Sequence, residues 1–221
     1  QNPDDSVQNG LHGLASSQLL GFAASAAKTA GVKHLVKLSS MDSLQNVGTG
    51  AWHARGEAAI RESGMNFTFV QPTGFMANAL WWAPKIKAEG VVRSMTGDGK
   101  IPFIHSDDIA EVVTEALVTQ KYYGNSLAIT GPAALSYGEV ASKIGAAIDK
   151  SVRFDALPEK EERRKMEGWG ESEEMIEAHL SIYRAIRDGR LATVTDGVEK
   201  VLGRKSIFFD QWVAENVDAF R

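Results

Sequence analysis

The residues from Lys33 to Phe75 constrain the fold more than any other part of the chain. They read strand, loop, helix, strand, loop. Lys33-His34-Leu35-Val36-Lys37-Leu38 runs into Ser39-Ser40, a helical pattern follows over Ala51–Glu62, and Met65–Val70 runs into Gln71-Pro72-Thr73-Gly74-Phe75. Two apolar, β-branched runs with a helix between them make a βαβ unit, and such units build parallel sheets with helices on their faces. Open parallel sheets bind their ligands beyond the carboxyl ends of the strands. Ser39-Ser40 and Gln71–Phe75 are therefore the best-placed site segments.

The flanking sequence extends this pattern. Leu19, Leu20, Phe22, Ala23, Ala26 and Ala27 recur at helical spacing, predicting a helix over Leu14–Ala30 that Gly31 stops, after a polar, turn-like stretch Gln1–Asn9. A doubly wound fold normally opens on a strand and a glycine-rich turn that holds a pyrophosphate, so a helical opening is unusual. Downstream, Met76–Gly90 is apolar, with Pro84 breaking or restarting its helix. Val91–Met95 and Ile101–Ile104 around Gly97-Asp98-Gly99 predict a hairpin. Ser106-Asp107-Asp108 opens a helix whose acids suit the positive end of its dipole. Ser126–Thr130 and Val152–Phe154 read as short strands, and Ser136-Tyr137-Gly138-Glu139 is a capping box.

Mixed-sign charges over Glu159–Glu167 and Glu171–Asp188 predict solvated helix faces. A last helix, Ile207–Phe220, is expected to bury Phe208, Trp212 and Val217. Strand–helix alternation gives way to mostly helix near Gly131–Ser136, which divides the chain into units 1–133 and 134–221. The predicted class is α/β: a partial doubly wound parallel sheet with a small, mostly helical C-terminal substrate domain.

Composition removes several classes of function. A net charge of −4 without a clustered basic face offers nothing to nucleic acid. Zero cysteines exclude disulfides, thiolate catalysis and cysteine metal sites. No apolar run approaches the roughly 18 residues of a membrane span, and Gln1-Asn2-Pro3-Asp4-Asp5 is no signal peptide, so the expected location is cytoplasmic.

The motifs that carry chemistry are few. Gly48-Thr49-Gly50 is half of a dinucleotide fingerprint, with His53 where its third glycine would stand, and a flexible loop is the plainer reading. His53 and Glu57 lie four apart on one helix face, as a general acid or base oriented by a carboxylate would. A helix-surface hydrogen bond is the alternative. His34, His105 and His179 have no metal-ligand spacing, and no metal is expected. Ser39 and Ser40 end a strand with hydroxyls. Pro72 sets φ, Thr73 adds a hydroxyl, Gly74 allows close approach and Phe75 offers a ring, which together suit a flat ligand ring as well as a tight turn. Trp81 and Trp82 cannot both face one direction, so one of them is a candidate wall of a substrate cleft. Asp107-Asp108 reads first as a helix start. No serine-hydrolase elbow, P-loop or nucleophile triad is present.

The order of these segments resembles NmrA-like proteins, atypical members of the short-chain dehydrogenase/reductase superfamily. The resemblance rests on Lys28–Val32 leading into Lys33–Ser40, the helix bearing His53 and Glu57, and Glu62–Thr68 leading into Gln71–Phe75. Gly97–Pro102 before His105–Ala110, and Ile129–Pro132 before Leu135-Ser136, extend it over most of Ala27–Ile148. It implies a Rossmann-like NAD(P)-binding domain, with Ser39, Ser40, Pro72, Thr73, Gly74 and Phe75 bordering the nicotinamide. The implied cofactor is NADP or NAD, with NADP placed first.

The resemblance further implies a reductase of a small conjugated or quinone-like substrate held near Trp81 or Trp82, with His53 as proton donor. The alternative is a non-catalytic, redox-sensing regulator acting through a protein partner. The family's first strand and glycine-rich loop are absent from the sequence, so the strand at Lys33 would have an open edge. A preceding segment, a partner copy of the chain, or lost dinucleotide binding would each account for that, the first being the expectation. The superfamily's Tyr-x-x-x-Lys pair is also missing, with His53 and Glu57 in its place.

Overall fold

The computed structural model describes residues 19–221. The expectations for Gln1–Asn9 and for the helix start at Leu14–Gln18 lie outside them. Residues 19–29 are helical (α1). They lead into strand β1 (Leu35–Leu38), a 3-10 turn (Met41–Leu44), helix α2 (Gly50–Glu62) and strand β2 (Phe67–Pro72). With β5 (Asn125–Ile129) these strands form a parallel sheet in the order β1-β2-β5.

The central strand β2 is buried on both sides. Phe69 and Val70 are both 0% exposed and, as neighbours on a strand, point to opposite faces. Phe69 packs with Ala24 of α1 and Ile60 of α2. Val70 packs with Ile109 and Val112 of α4 (Ser106–Val118) and Val198 of α8 (Gly197–Leu202). Each such side chain contributes about 1.5–3 kcal/mol of transfer free energy, and burial on both faces also encloses the polar Thr68 and Gln71 of this strand. Helices on both faces of a parallel sheet are the predicted α/β architecture.

The expected hairpin around Gly97-Asp98-Gly99 does not form. β3 (Val91–Ser94) pairs in parallel with β7 (Arg153–Ala156), and β4 (Lys100–Ile101) pairs antiparallel with β6 (Leu135–Ser136). The turn itself is real, closed by Gly99 N–H on Thr96 O at 3.1 Å. It seats the end of α7 (Glu173–Arg187) instead: a Cβ on Gly99 would stand 2.1 Å from Ile186 O. Contacts far along the chain thus outcompete the local pairing.

Pro84 restarts a helix, as expected: a 3-10 segment (Met76–Trp82) gives way to α3 (Ala83–Glu89), with the proline in its first turn. The capping box at Ser136 opens α5 (Tyr137–Ile148) with both reciprocal hydrogen bonds present. The charged segments form α6 (Glu159–Gly168) and α7, whose faces carry surface ion pairs such as Arg163–Glu173. Glu162 departs from that pattern: it is fully buried and accepts the Met95 N–H at 2.8 Å.

The last helix is shorter than expected. It splits into α9 (Phe209–Glu215) and a 3-10 turn (Val217–Ala219). Phe208 is the N-cap, in extended conformation, and is 56% exposed. The helix starts two residues later than expected, and Phe209, Trp212 and Val213 face inward, the i, i+3, i+4 set of a helix face. The largest core joins Met76, Val92 and Phe103 to Tyr137, Ile144 and Trp212 across residue 133. No helix among the described residues is long and apolar enough to cross a membrane.

Candidate active site at the ends of β1 and β2

Parallel register brings the two segments singled out in the sequence side by side. Leu38 pairs with Val70, and the Ser39 N–H donates to Val70 O at 2.7 Å. The chain beyond β2 is held by its other neighbours. Thr73 N–H bonds Ile129 O, and Gly74 O and Met76 N–H bond the backbone of Ile104. A Cβ on Gly74 would meet Ile101 Cδ1 at 3.0 Å, so the glycine also lets Ile101 pack close behind the loop.

Between the two tips lies a cavity of about 300 Å³ lined by Ser39, Ser40, His53, Pro72, Thr73, Gly74 and Phe75, with Leu38, Asp42 and Asn78. That volume is at the lower end for small-molecule sites and matches one ring system with its sugar better than a whole dinucleotide. Every residue expected to border a nicotinamide, and His53, is on its wall. Trp81 and Trp82 are not brought there. Trp81 is 73% exposed, and Trp82 packs on Tyr137 with ring centroids 4.8 Å apart.

A buried polar network underlies this cavity. The Lys37 ammonium donates to Ser39 Oγ at 3.0 Å and sits 3.0 Å from His53 Nδ1. Ser39 Oγ in turn donates to Glu57 Oε1 at 2.5 Å. Glu57 also accepts from Gln71 Nε2 at 2.9 Å and from Arg61 at 3.3 Å. The carboxylate expected to orient His53 therefore holds Ser39 and Gln71, and it is Lys37 that contacts the imidazole. Ser40 Oγ accepts the Asp42 N–H and caps the 3-10 turn.

The electrostatics follow from burial. Desolvation lowers the Lys37 pKa, against the opposing pull of Glu57. Desolvation and the Lys37 charge lower that of His53, again opposed by Glu57. Burial raises the Asp42 carboxyl, with the Ser40 hydrogen bond opposing.

Lys37 escapes sequence reasoning, because a lysine in an alternating strand reads as solvent-facing. Two signals were available. Lys37 and Ser39 share a strand face at i, i+2, and His53 and Glu57 share a helix face at i, i+4. A parallel strand covered on both faces leaves such a lysine directed at a neighbouring helix.

Two other motifs take structural places. Gly48 lies against Ile182, and Gly50 against the Asp42 backbone, so neither faces the cavity. Asp108 is fully buried in α4, accepting from Arg204 at 2.7 Å and from the Ile207 N–H at 2.8 Å. Among the described residues no three His, Asp or Glu side chains gather as metal ligands would.

Known proteins share this architecture. The chain is 36% identical over 197 residues to the NAD(P)H azoreductase of Xenophilus azovorans, covering 88% of this chain and 69% of that one. It is 34% identical over 201 residues to the (4-alkanoyl-5-oxo-2,5-dihydrofuran-3-yl)methyl phosphate reductase of Streptomyces griseus, covering 89% and 71%. The structure of an NADPH-dependent quinone oxidoreductase from Escherichia coli in complex with NADPH superposes with a TM-score of 0.80 at 21% identity, covering 89% of this chain and 70% of that one. That likeness extends to the fold, the Rossmann-like sheet with its flanking helices. With residues 22–201 matching the family model, this chain belongs to the NmrA-like family.

Proposed function

We propose that this protein is an NAD(P)H-dependent reductase of a small conjugated or quinone-like molecule. The observation that carries the reading is the cavity between the paired tips of β1 and β2, with His53 on its wall and a buried cation behind it. Two relatives above 30% identity, the azoreductase and the (4-alkanoyl-5-oxo-2,5-dihydrofuran-3-yl)methyl phosphate reductase, support the reaction class.

The residues present fit the nicotinamide end of the cofactor. The Pro72 ring and Phe75 offer flat apolar walls, and Ser40, Thr73 and Asn78 offer polar groups for a carboxamide and a ribose. Ser39, Ser40, Pro72, Thr73, Gly74 and Phe75 would hold that ring. When bound, the nicotinamide supplies a hydride. The chain's own part is to fix the ring against the strand ends, to keep water from the reacting face, and to deliver a proton from His53. NADP is the cofactor we place first, in line with the quinone oxidoreductase solved with NADPH.

Oxidation of NADPH followed at 340 nm against a panel of azo dyes and quinones tests the proposal. Turnover on at least one acceptor is expected, falling about 100-fold or more in His53→Ala. Dinucleotide binding by calorimetry without turnover on any acceptor would favour a redox-sensing regulator. No binding of either dinucleotide would remove the basis of both readings.

A further inference from the structure

A neutral imidazole is a poor acid by itself, since losing its one N–H proton leaves an imidazolate that a half-buried site does not stabilise. His53 is in that position. Burial and the adjacent ammonium both lower its pKa and so disfavour the charged ring, against the opposing pull of Glu57. An ammonium has donors and no acceptor, so at 3.0 Å from Lys37 Nζ the Nδ1 atom accepts, and the ring proton belongs on Nε2. His53 lines the cavity, and Nε2 has no hydrogen-bond partner among the described residues.

From this geometry we propose that Lys37 fixes His53 as the Nε2–H tautomer and is the source of the proton that His53 delivers. The inference rests on the reductase reading above. As the Nε2–H bond breaks and an O–H or N–H bond forms on the substrate anion left by hydride transfer from the nicotinamide, an Nζ–H bond of Lys37 breaks and an Nδ1–H bond forms. The ring goes from one neutral tautomer to the other, and no imidazolate appears. Lys37 ends as a neutral amine and regains its proton from water, while no electron moves within the relay. Lys37 acts through His53, so it is a positioning residue that also stores the proton.

The surroundings suit this task. Ser39 links Lys37 to Glu57, whose charge favours the ammonium while burial disfavours it. The net effect is a lowered Lys37 pKa, which makes the ammonium a better proton donor than that of an exposed lysine. Arg61 and Gln71 hold Glu57 from α2 and β2. Leu20 of α1 approaches the same space: a Cβ on Gly56 would meet Leu20 Cδ1 at 2.6 Å and Lys37 Cε at 3.5 Å. Asp42, on the 3-10 turn, is the remaining titratable group on the cavity. The relay replaces the missing tyrosine–lysine pair with a lysine supplied by a strand instead of by the next turn of the helix.

The test uses the full chain as wild type, Lys37→Met, Lys37→Arg and His53→Gln. Side-chain ¹⁵N NMR of the free protein at neutral pH should show His53 as the Nε2–H tautomer, kept in Lys37→Arg and lost in Lys37→Met. An Nδ1–H tautomer or an imidazolium in the wild type would overturn the proposal whatever the turnover. In NADPH-dependent reduction, Lys37→Met and Lys37→Arg should both lose about 100-fold or more in kcat with little change in KM, because arginine donates a hydrogen bond without giving up its proton. They should also lose the alkaline limb of the wild-type pH profile. Full activity in Lys37→Arg would overturn the proton-source role. A wild type inert on every acceptor would sink the reductase reading and the relay with it, while the tautomer still reports on the pair.

Discussion

Two glycines show how single atoms set this site. Gly50 opens α2 against the 3-10 turn, where a Cβ would stand 2.2 Å from Asp42 O. Both partners there are backbone, so the turn carrying Ser40 and Asp42 must move if a methyl group is added. Gly50→Ala should cost about 1–3 kcal/mol, as overpacking does, at roughly 2–4 °C of Tm per kcal/mol. It should also weaken NAD(P) binding at temperatures well below the melt, because the displaced turn is a wall of the cavity. Gly168, the last residue of α6, meets nothing within 4 Å and has no positive φ. Gly168→Ala should leave binding unchanged and raise stability by up to about 1 kcal/mol. Thermal melts beside calorimetric titrations of both variants check the pair. Equal effects on binding would mean that the turn does not shape the cavity.

At the level of elements, buried polar anchors join segments that the sequence shows as separate. Asp108 ties α4 to the segment after α8 through Arg204 and the Ile207 N–H. Removing its carboxylate in Asp108→Ala strands that N–H, which should cost about 1–3 kcal/mol in urea unfolding. Asp108→Asn keeps an acceptor oxygen and should cost less; an equal cost would deny the anchor its role. The capping box at Ser136 was legible because all its parts lie within four residues. The strand pair β3–β7 was not, since its partners lie about sixty residues apart and only packing selects them. The same contrast divides the candidate site. Ser39, Ser40 and Pro72–Phe75 follow from the rule that strand ends bind, and His53 from helix spacing. Lys37 depends on which face of β1 meets α2, and no local pattern states that. Trp81 and Trp82 failed to reach the cavity for a related reason: their 3-10 segment turns Trp82 toward α5 and Trp81 outward.

Across the whole molecule the protonation of histidines against carboxylates decides how stability responds to acid. His34 and His53 both have pKa values lowered from 6.5, chiefly by desolvation. The unfolded chain therefore binds their protons first as pH falls, so the stability present above about 6.5 declines as pH drops through the lower folded values. Exposed carboxylates lie below this step. Glu139 and Glu159 are held under their usual 4.5, first by hydrogen bonds from Lys100 and Arg184, and their contribution declines only in stronger acid. Asp42 runs the other way: its raised pKa favours the folded state below 3.8 and opposes it as pH climbs through the folded value. The urea midpoint should hold near pH 7–8, fall in a first step as pH drops below about 6.5, and fall again below about pH 4.5. His53→Gln should shrink the first step without moving the second, because His34, bonded to Thr68 Oγ1 at 2.9 Å, remains. A midpoint that stays level from pH 7 to 5 would show that the folded protein protonates both histidines as readily as the open chain does. That outcome would contradict the neutral His53 on which its part in the site depends.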